Sequence, residues 1–337
     1  MIHVAINGFG RIGRRVFRLL QDHQNIKVVA INDLADTKTL SHLLKYDSVH
    51  GRFNGTVSSD ENHIIVNDEK VTLLNENHPK RIDWSPFNVD YVIESTGKFK
   101  TIPELEFHLQ NGAKHVILSV PPVEDDIKTI VLGVNGDSID GTETIISNAS
   151  CTTNNAAPMI DIINKLCGIN QAYITTVHSY TTDQSLHDQP HRDLRRSRAA
   201  SQSIVPTTTG AAKALTKIFP ELANVIGGCG IRVPVINGSL TDITFNVKRT
   251  VSIDEINNAF KKAANANYKG ILEYTEDPIV SIDIVGNTHS CIFDSQMTSV
   301  IGNMVKIIGW YDNETGYSSR IIDLICNLSA KKCTLSE

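Results

Sequence analysis

No Cys-x-x-Cys pair occurs in this chain, whose six cysteines (Cys151, Cys167, Cys229, Cys291, Cys326 and Cys333) are scattered. That pattern excludes a zinc site or a disulfide-stapled scaffold, and no metal is expected. No apolar run approaches the roughly 20 residues that cross a bilayer, so no membrane partner is expected either. Residues 1–7 lack the charged start and long apolar run of a secretory leader. Positive charge is not in excess: 32 Lys and Arg face 37 Asp and Glu, a net charge of −5. A generally basic surface of the kind that coats nucleic acid is thereby excluded. These absences predict a soluble protein of a reducing compartment, the cytoplasm. What is present is globular: 337 residues, 41% hydrophobic and 20% charged, enough for two domains with packed cores.

The first 150 residues alternate short apolar runs with helical patterns. Runs at 2–6, 27–31, 91–93, 116–118, 130–132 and 144–146 read as strands, and 14–22 places Val16, Leu19 and Leu20 at helical spacing. Strands separated by helices predict a doubly wound, mainly parallel α/β sheet of Rossmann type. After Asn170 the texture changes. Residues 240–247 alternate, with Ile243, Phe245 and Val247 on one face and Thr244 and Asn246 on the other, as in an antiparallel strand with one covered face. Ser252-Ile253-Asp254-Glu255 reads as a capping box opening a helix to about residue 266. Further strands are expected at 279–284 and 304–310, and a helix at 318–328. The second half is therefore read as an α+β catalytic domain with a mixed or antiparallel sheet. The division expected is 1–150 plus a C-terminal helix, 314–337, for the first domain, and 151–313 for the second.

Asn7-Gly8-Phe9-Gly10-Arg11-Ile12-Gly13 contains G-x-G-x-x-G after an expected strand and at the start of an expected helix. In that setting Gly8 makes the tight turn, Gly10 admits a pyrophosphate to the backbone, and Gly13 lets helix and strand pack. Free N–H groups at the helix start would receive the phosphates. Asp33 ends the next β-run twenty residues beyond Gly13. A carboxylate there accepts from ribose hydroxyls and repels a 2′-phosphate, favouring NAD over NADP. The bland alternative is a Gly-rich turn with a surface Asp.

Cys151 stands in Asn148-Ala149-Ser150-Cys151-Thr152-Thr153-Asn154, between an expected strand and an apolar helix. A cysteine at a helix N-terminus is predicted to have a depressed pKa and to be nucleophilic. Most lone cysteines are structural, and Cys167 and Cys326, within apolar helices, read that way. His178 ends the β-run 172–177 in a Ser/Thr-rich stretch and is the candidate base. Whether it meets Cys151 is not legible from spacing. Arg192, Arg195, Arg196 and Arg198 then form a basic run, either a solvated face or a set of anion donors. Pro206-Thr207-Thr208-Thr209-Gly210-Ala211 precedes a helix and is a possible phosphate cradle. Arg232, amid apolar residues, needs an anionic partner if buried.

Residues 6–14, 42–52, 147–154, 193–196, 206–213 and Trp310-Tyr311-Asp312-Asn313-Glu314 resemble the phosphorylating glyceraldehyde-3-phosphate dehydrogenase family. The segments keep the family's order from residue 2 to about residue 328. The resemblance implies oxidation of D-glyceraldehyde 3-phosphate to 1,3-bisphosphoglycerate, with NAD and inorganic phosphate, through a thioester in a homotetramer. It implies Cys151 as nucleophile and His178 as its partner. Thr181, Asp183 and Arg232 fall where the substrate's phosphate is held; Ser150, Thr152, Arg196, Thr209 and Gly210 fall at the site of the attacking phosphate. Asn7, Gly8, Gly10, Arg11, Ile12, Gly13, Asp33, Asn77, Thr96, Gly97 and Ser119 match cofactor contacts. Asn313 matches the residue that orients the nicotinamide, with Tyr317 nearby.

Four positions depart from the family pattern. Asn155 stands where a second cysteine is usual, Ala156 where a larger aliphatic residue is usual, Thr315 where a Trp is common, and Gln189 where an apolar residue is usual. Residues 200–204 are similar to erythrose-4-phosphate dehydrogenase, the alternative activity, whereas Thr181 and 207–210 follow the glyceraldehyde-3-phosphate pattern. A Cys–His hydrolase would have no use for the glycine fingerprint. A non-enzymatic NAD-binding or adhesive protein is the remaining rival.

Overall fold

The computed structural model describes residues 1–335, with side chains up to Lys331, so Cys333 and the end of the expected C-terminal domain segment lie outside the described side chains. The chain divides into two compact units, one of residues 1–130, 137–149 and 318–337, the other of 131–136 and 150–317.

The first unit is built on a nine-stranded sheet. Ile2–Asn7 lies between Ile26–Asn32 and Tyr91–Glu94, parallel to both, and the parallel run extends outward on each side. His63–Val66 and Val57–Ser59 extend one edge in antiparallel fashion. Val4, Ala5, Ile6, Val92, Ile93, Val116 and Ile117 are completely buried. Such continuous apolar runs are what a parallel sheet covered on both faces demands. On helix Arg11–Leu20 the inward residues are Gly13, Val16, Phe17 and Leu20. Leu19, expected inward, is only half-buried because Phe17 takes that face. Among the described residues no helix is long and apolar enough to cross a membrane.

The second unit carries an eight-stranded mixed sheet. Ile169–Ser179 pairs parallel with Ile226–Val233 and antiparallel with Ser239–Val247, which pairs antiparallel with Met304–Tyr311. Ile243, Phe245 and Val247 are fully buried and alternate with less buried neighbours, as the sequence pattern predicts. Helix Cys151–Cys167 packs against this sheet. Ser252 and Glu255 make the expected reciprocal capping box at helix Ile253–Ala264.

Two expected strands are absent among the described residues: residues 130–132 follow the short strand Lys128–Thr129 rather than forming one, and residues 279–284 pair with nothing. Residues 279–284 form turns, and the strands in this region are Leu272–Thr275 and Cys291–Asp294. Backbone groups here bond locally, Ile279 N to Asp277 O and Asp283 N to Val280 O, while the Asp283 carboxylate accepts from Val280 N. Pro278 lacks an N–H and favours such a turn. The apolar run misleads because Val280 and Ile282 are exposed and only Ile284 is buried.

Candidate active site

The glycine fingerprint stands at the C-terminal edge of the parallel sheet. Gly8 has φ +93°, and a Cβ there would lie 2.7 Å from Thr96 N. A Cβ on Gly13 would lie 2.3 Å from Gly8 O, so both glycines are required by close backbone approach. Gly10 is different: no protein atom lies within 4 Å of its would-be Cβ. Protein packing does not explain that glycine, whereas a pyrophosphate approaching the helix start does. A pocket beside it is lined by Asn7, Gly8, Asp33, Asn77, Thr96 and Phe99. Asp33 accepts from Phe9 N at 2.7 Å and Ala35 N at 3.1 Å, which fixes its carboxylate beside the glycine turn. These residues fit a dinucleotide. The Arg11 guanidinium is bidentate on Asp47, at 2.6 and 3.1 Å, so Arg11 and Ile12 can offer the phosphates their backbone N–H groups at the helix start. That pair and the amides of Val49 and His50 hold the Asp47 carboxyl well below the usual carboxylate range, against its own burial. Gly97 has φ +70°, and Ser119 follows the strand His115–Leu118, both at the same sheet edge.

Beneath the pocket lies a buried polar chain. Glu94, with no exposed surface, accepts from Asn7 Nδ2 (2.5 Å), Thr96 N (2.9 Å) and Thr96 Oγ1 (2.5 Å). His108 Nε2 stands 3.2 Å away on the same carboxylate. Trp84 Nε1 donates to His108 Nδ1 at 3.0 Å, which places the imidazole proton on Nε2, facing Glu94. Asn7 Oδ1 in turn accepts from Asn32 at 2.8 Å. Glu94 was not among the sequence candidates; the available signal was a carboxylate at the C-terminal end of a central strand, where α/β sheets bind ligands. Glu94→Gln leaves a donor facing donors, at about 1–3 kcal/mol. Its NAD dissociation constant should rise about tenfold, with kcat at saturating NAD largely kept. Calorimetric titration checks this; unchanged affinity would remove Glu94 from the binding apparatus.

In the second unit, Ser150 caps the helix Cys151–Cys167, its hydroxyl accepting from Thr153 N at 3.1 Å. Cys151 is the first helical residue, and its Sγ lies 3.5 Å from His178 Nε2. His178 Nδ1 stands 2.7 Å from the Ser179 carbonyl, which can only accept, and 3.1 Å from Arg232 Nη1, which can only donate; the nearer carbonyl favours the proton on Nδ1, with the Nε2 lone pair toward the thiol. The Tyr311 ring meets the imidazole edge-on, and its hydroxyl joins Thr152 Oγ1 at 3.0 Å and Thr176 Oγ1 at 2.9 Å. Arg232 Nη1 donates to Ser179 O at 3.0 Å and approaches Thr181 Oγ1 at 3.4 Å.

The expected depression of the thiol pKa is not what this site produces. Burial pushes Cys151 up, against the opposing pull of Arg232 and of Thr152. Burial and then Arg232 push His178 down to about 3, against its bond to Ser179. Removal from water disfavours the charged forms of both groups, the thiolate and the imidazolium alike. A neutral imidazole is a base ready to take the thiol proton.

The other anion candidates also gather. Arg192, Arg195 and Arg198 are exposed, as a solvated face would have it, while Arg196 turns inward. Arg196 Nε donates to Thr207 Oγ1 at 2.9 Å and Nη1 to the Asp183 carboxylate. Asp183 thus contacts Arg196, although resemblance placed it with Thr181 and Arg232. Thr209 Oγ1 accepts from Ala211 N, and Gly210 begins the helix Ala211–Ile218. The Thr152 hydroxyl is engaged by Tyr311, leaving its backbone N–H toward the helix start. Asn313 Oδ1 accepts from Ser179 Oγ and Ser239 Oγ, both at 2.9 Å, which sets the opposite, NH2 end of the amide. Tyr317 is buried a turn further on. Tyr311, Ser179 and Ser239 carry positioning contacts that sequence reasoning did not single out. Nothing marks them locally, since their partners are 60 to 159 residues away.

A doubly wound unit with a dinucleotide cradle, and a mixed-sheet unit with a thiol–imidazole pair, define the class of nicotinamide-dependent oxidoreductases that use a cysteine. Residues 2–102 match the family described as glyceraldehyde 3-phosphate dehydrogenase, NAD binding domain, and residues 150–313 match the corresponding C-terminal domain. The chain is 48% identical over 333 residues to glyceraldehyde-3-phosphate dehydrogenase 1 of Bacillus cereus, covering 98% of this chain and 99% of that one. It is 52% identical over 326 residues to glyceraldehyde-3-phosphate dehydrogenase 2 of Streptomyces avermitilis, covering 96% and 97%. Against glyceraldehyde-3-phosphate dehydrogenase of Geobacillus stearothermophilus it is 49% identical over 332 residues, covering 98% and 99%. The chain belongs to the glyceraldehyde-3-phosphate dehydrogenase family.

Proposed function

We propose that the protein oxidises D-glyceraldehyde 3-phosphate to 1,3-bisphosphoglycerate with NAD and inorganic phosphate, in the cytoplasm, through a thioester on Cys151. The observation that carries this reading is the 3.5 Å approach of the Cys151 thiol to a His178 nitrogen whose other ring proton is held by Ser179. His178 takes the thiol proton as sulfur attacks the aldehyde carbon, and returns it to the carbonyl oxygen, giving a thiohemiacetal. NAD, when bound, accepts the hydride. As that carbon is oxidised, His178 takes the hydroxyl proton and the thioester remains. A phosphate oxygen then attacks the acyl carbon, sulfur leaves, and the acyl phosphate is released.

Arg232 and Thr181 would hold the substrate's phosphate, with Asp183 on the same turn. Arg196, Ser150, Thr152, Thr209 and Gly210 would serve the attacking one. The first unit would bind NAD through Asn7, Gly8, Gly10, Gly13, Asp33, Asn77, Thr96, Gly97 and Ser119. Asn313, its oxygen already tied to two serines, would present its NH2 group to the nicotinamide carboxamide, near Tyr317. The exposed Ile236, Val280 and Ile282 suit a subunit contact in the proposed homotetramer. NADH formation that requires both the aldehyde and inorganic phosphate tests the assignment. A higher kcat/KM for erythrose 4-phosphate would transfer it to the sister activity.

Asp33→Ala removes the charge that repels a 2′-phosphate, and should raise the NADP to NAD ratio of kcat/KM about tenfold or more. Steady-state kinetics with both cofactors checks this. Equal use of the two by the unaltered protein would contradict the electrostatic argument and turn attention to Gln189.

A further inference from the structure

Asp183 has a carboxylate at a place where anions are to be bound. A carboxylate carries the same charge as phosphate and, like it, accepts hydrogen bonds, so it cannot itself hold one. What it can do is occupy a cation. Its partner is Arg196, with His191 Nε2 3.6 Å away on the other oxygen. Arg196 does not depend on this contact for its place. Its Nε donates to Thr207 Oγ1 at 2.9 Å and lies 3.5 Å from an Asp193 oxygen, and its Nη2 reaches the Thr208 carbonyl at 3.4 Å. The Arg196 side chain is 16% exposed and that of Asp183 48%, so the arginine is embedded while the carboxylate approaches from the solvent side. A pair with one partner half in solvent is held less firmly than a fully buried one, so a second anion can exchange for that carboxylate.

We propose that Asp183 is an internal competitor for inorganic phosphate: its carboxylate holds the Arg196 Nη1 donor until phosphate displaces it. This rests on the reading that Arg196 serves the attacking phosphate. The arrangement also links the two anion sites. Asp183 lies within a turn closed by Gln184 N on Thr181 O at 2.9 Å, and Thr181 is the residue on Arg232. Phosphate at Arg196 releases the carboxylate and with it one anchor of the turn that presents Thr181, so each ligand alters the affinity of the other by the same factor.

The test uses the full-length enzyme and inorganic phosphate. Asp183→Asn keeps size and removes charge; it should lower the KM for phosphate about three- to fivefold, and Asp183→Ala should do the same. In an Arg196→Ala background, where the KM for phosphate is already raised, Asp183→Asn should have no further effect. Protection against thermal unfolding by phosphate should likewise begin at a lower concentration in Asp183→Asn than in the unaltered protein. If Asp183→Asn leaves the KM for phosphate unchanged or raises it while Arg196→Ala raises it, Asp183 is no competitor and the inference fails alone. If Arg196→Ala leaves the KM for phosphate unchanged, the assignment of Arg196 fails and the inference falls with it.

Discussion

Cys151→Ser is expected to lower kcat on the order of 10⁴-fold or more, with NAD affinity and melting temperature close to those of the unaltered protein. Two reasons converge. A serine hydroxyl ionises far less readily than a thiol, so the same imidazole draws off its proton far less easily. An ester is also a poorer acyl donor to phosphate than a thioester. The NAD-binding residues, from Asn7 to Ser119, belong to the other unit and do not involve the substituted atom. Rapid mixing of enzyme, NAD and aldehyde should therefore show no NADH burst at all. Retention of more than about a tenth of kcat would sink the nucleophile assignment.

Arg232→Ala should reduce kcat/KM for glyceraldehyde 3-phosphate about 10–150-fold, the worth of one charge-assisted hydrogen bond of roughly 1.5–3 kcal/mol. Unphosphorylated glyceraldehyde, with no phosphate to lose, should suffer much less. The same substitution has a second signature. Arg232 is the cation that favours the Cys151 thiolate against burial, so its loss should move the pH midpoint of iodoacetamide alkylation upward. Arg232 also opposes a proton on His178, and its removal should let the imidazole titrate at higher pH. If both aldehydes are impaired equally, the arginine acts on the thiol and imidazole alone, and the substrate's phosphate is held elsewhere.

How much of this could be read from the chain depends on the range over which each feature is determined. Gly8, Gly10 and Gly13 are legible because their spacing on a strand–turn–helix is local, as is the close approach of Gly13 to Gly8 O, although the backbone that crowds Gly8 comes from residues 95–96. The strand 240–247 is legible because an alternating pattern reflects one covered face, and the capping box at Ser252 because both partners lie within four residues. The run 279–284 fails for a complementary reason. Its apolar residues resemble a strand's, but no neighbouring strand pairs with them, and pairing is a property of the fold.

Glu94 shows the same limit at the cofactor pocket. Thr96 lies two residues away, but its other partners Asn7 and His108 come from another strand and from a helix, and nothing beside Glu94 in the chain announces them.

By itself the sequence determined the two architectures, the dinucleotide fingerprint with Asp33, and the places of a cysteine at a helix start and a histidine near a strand end, but not that the two meet. Local backbone geometry and side-chain periodicity specify these, and both are written in adjacent residues. Only the tertiary structure decided which arginine of the basic run turns inward, that Asp183 faces Arg196, and that the thiol is pushed up rather than down. Those outcomes depend on distance and on removal from water, and both are set by residues brought together from far along the chain.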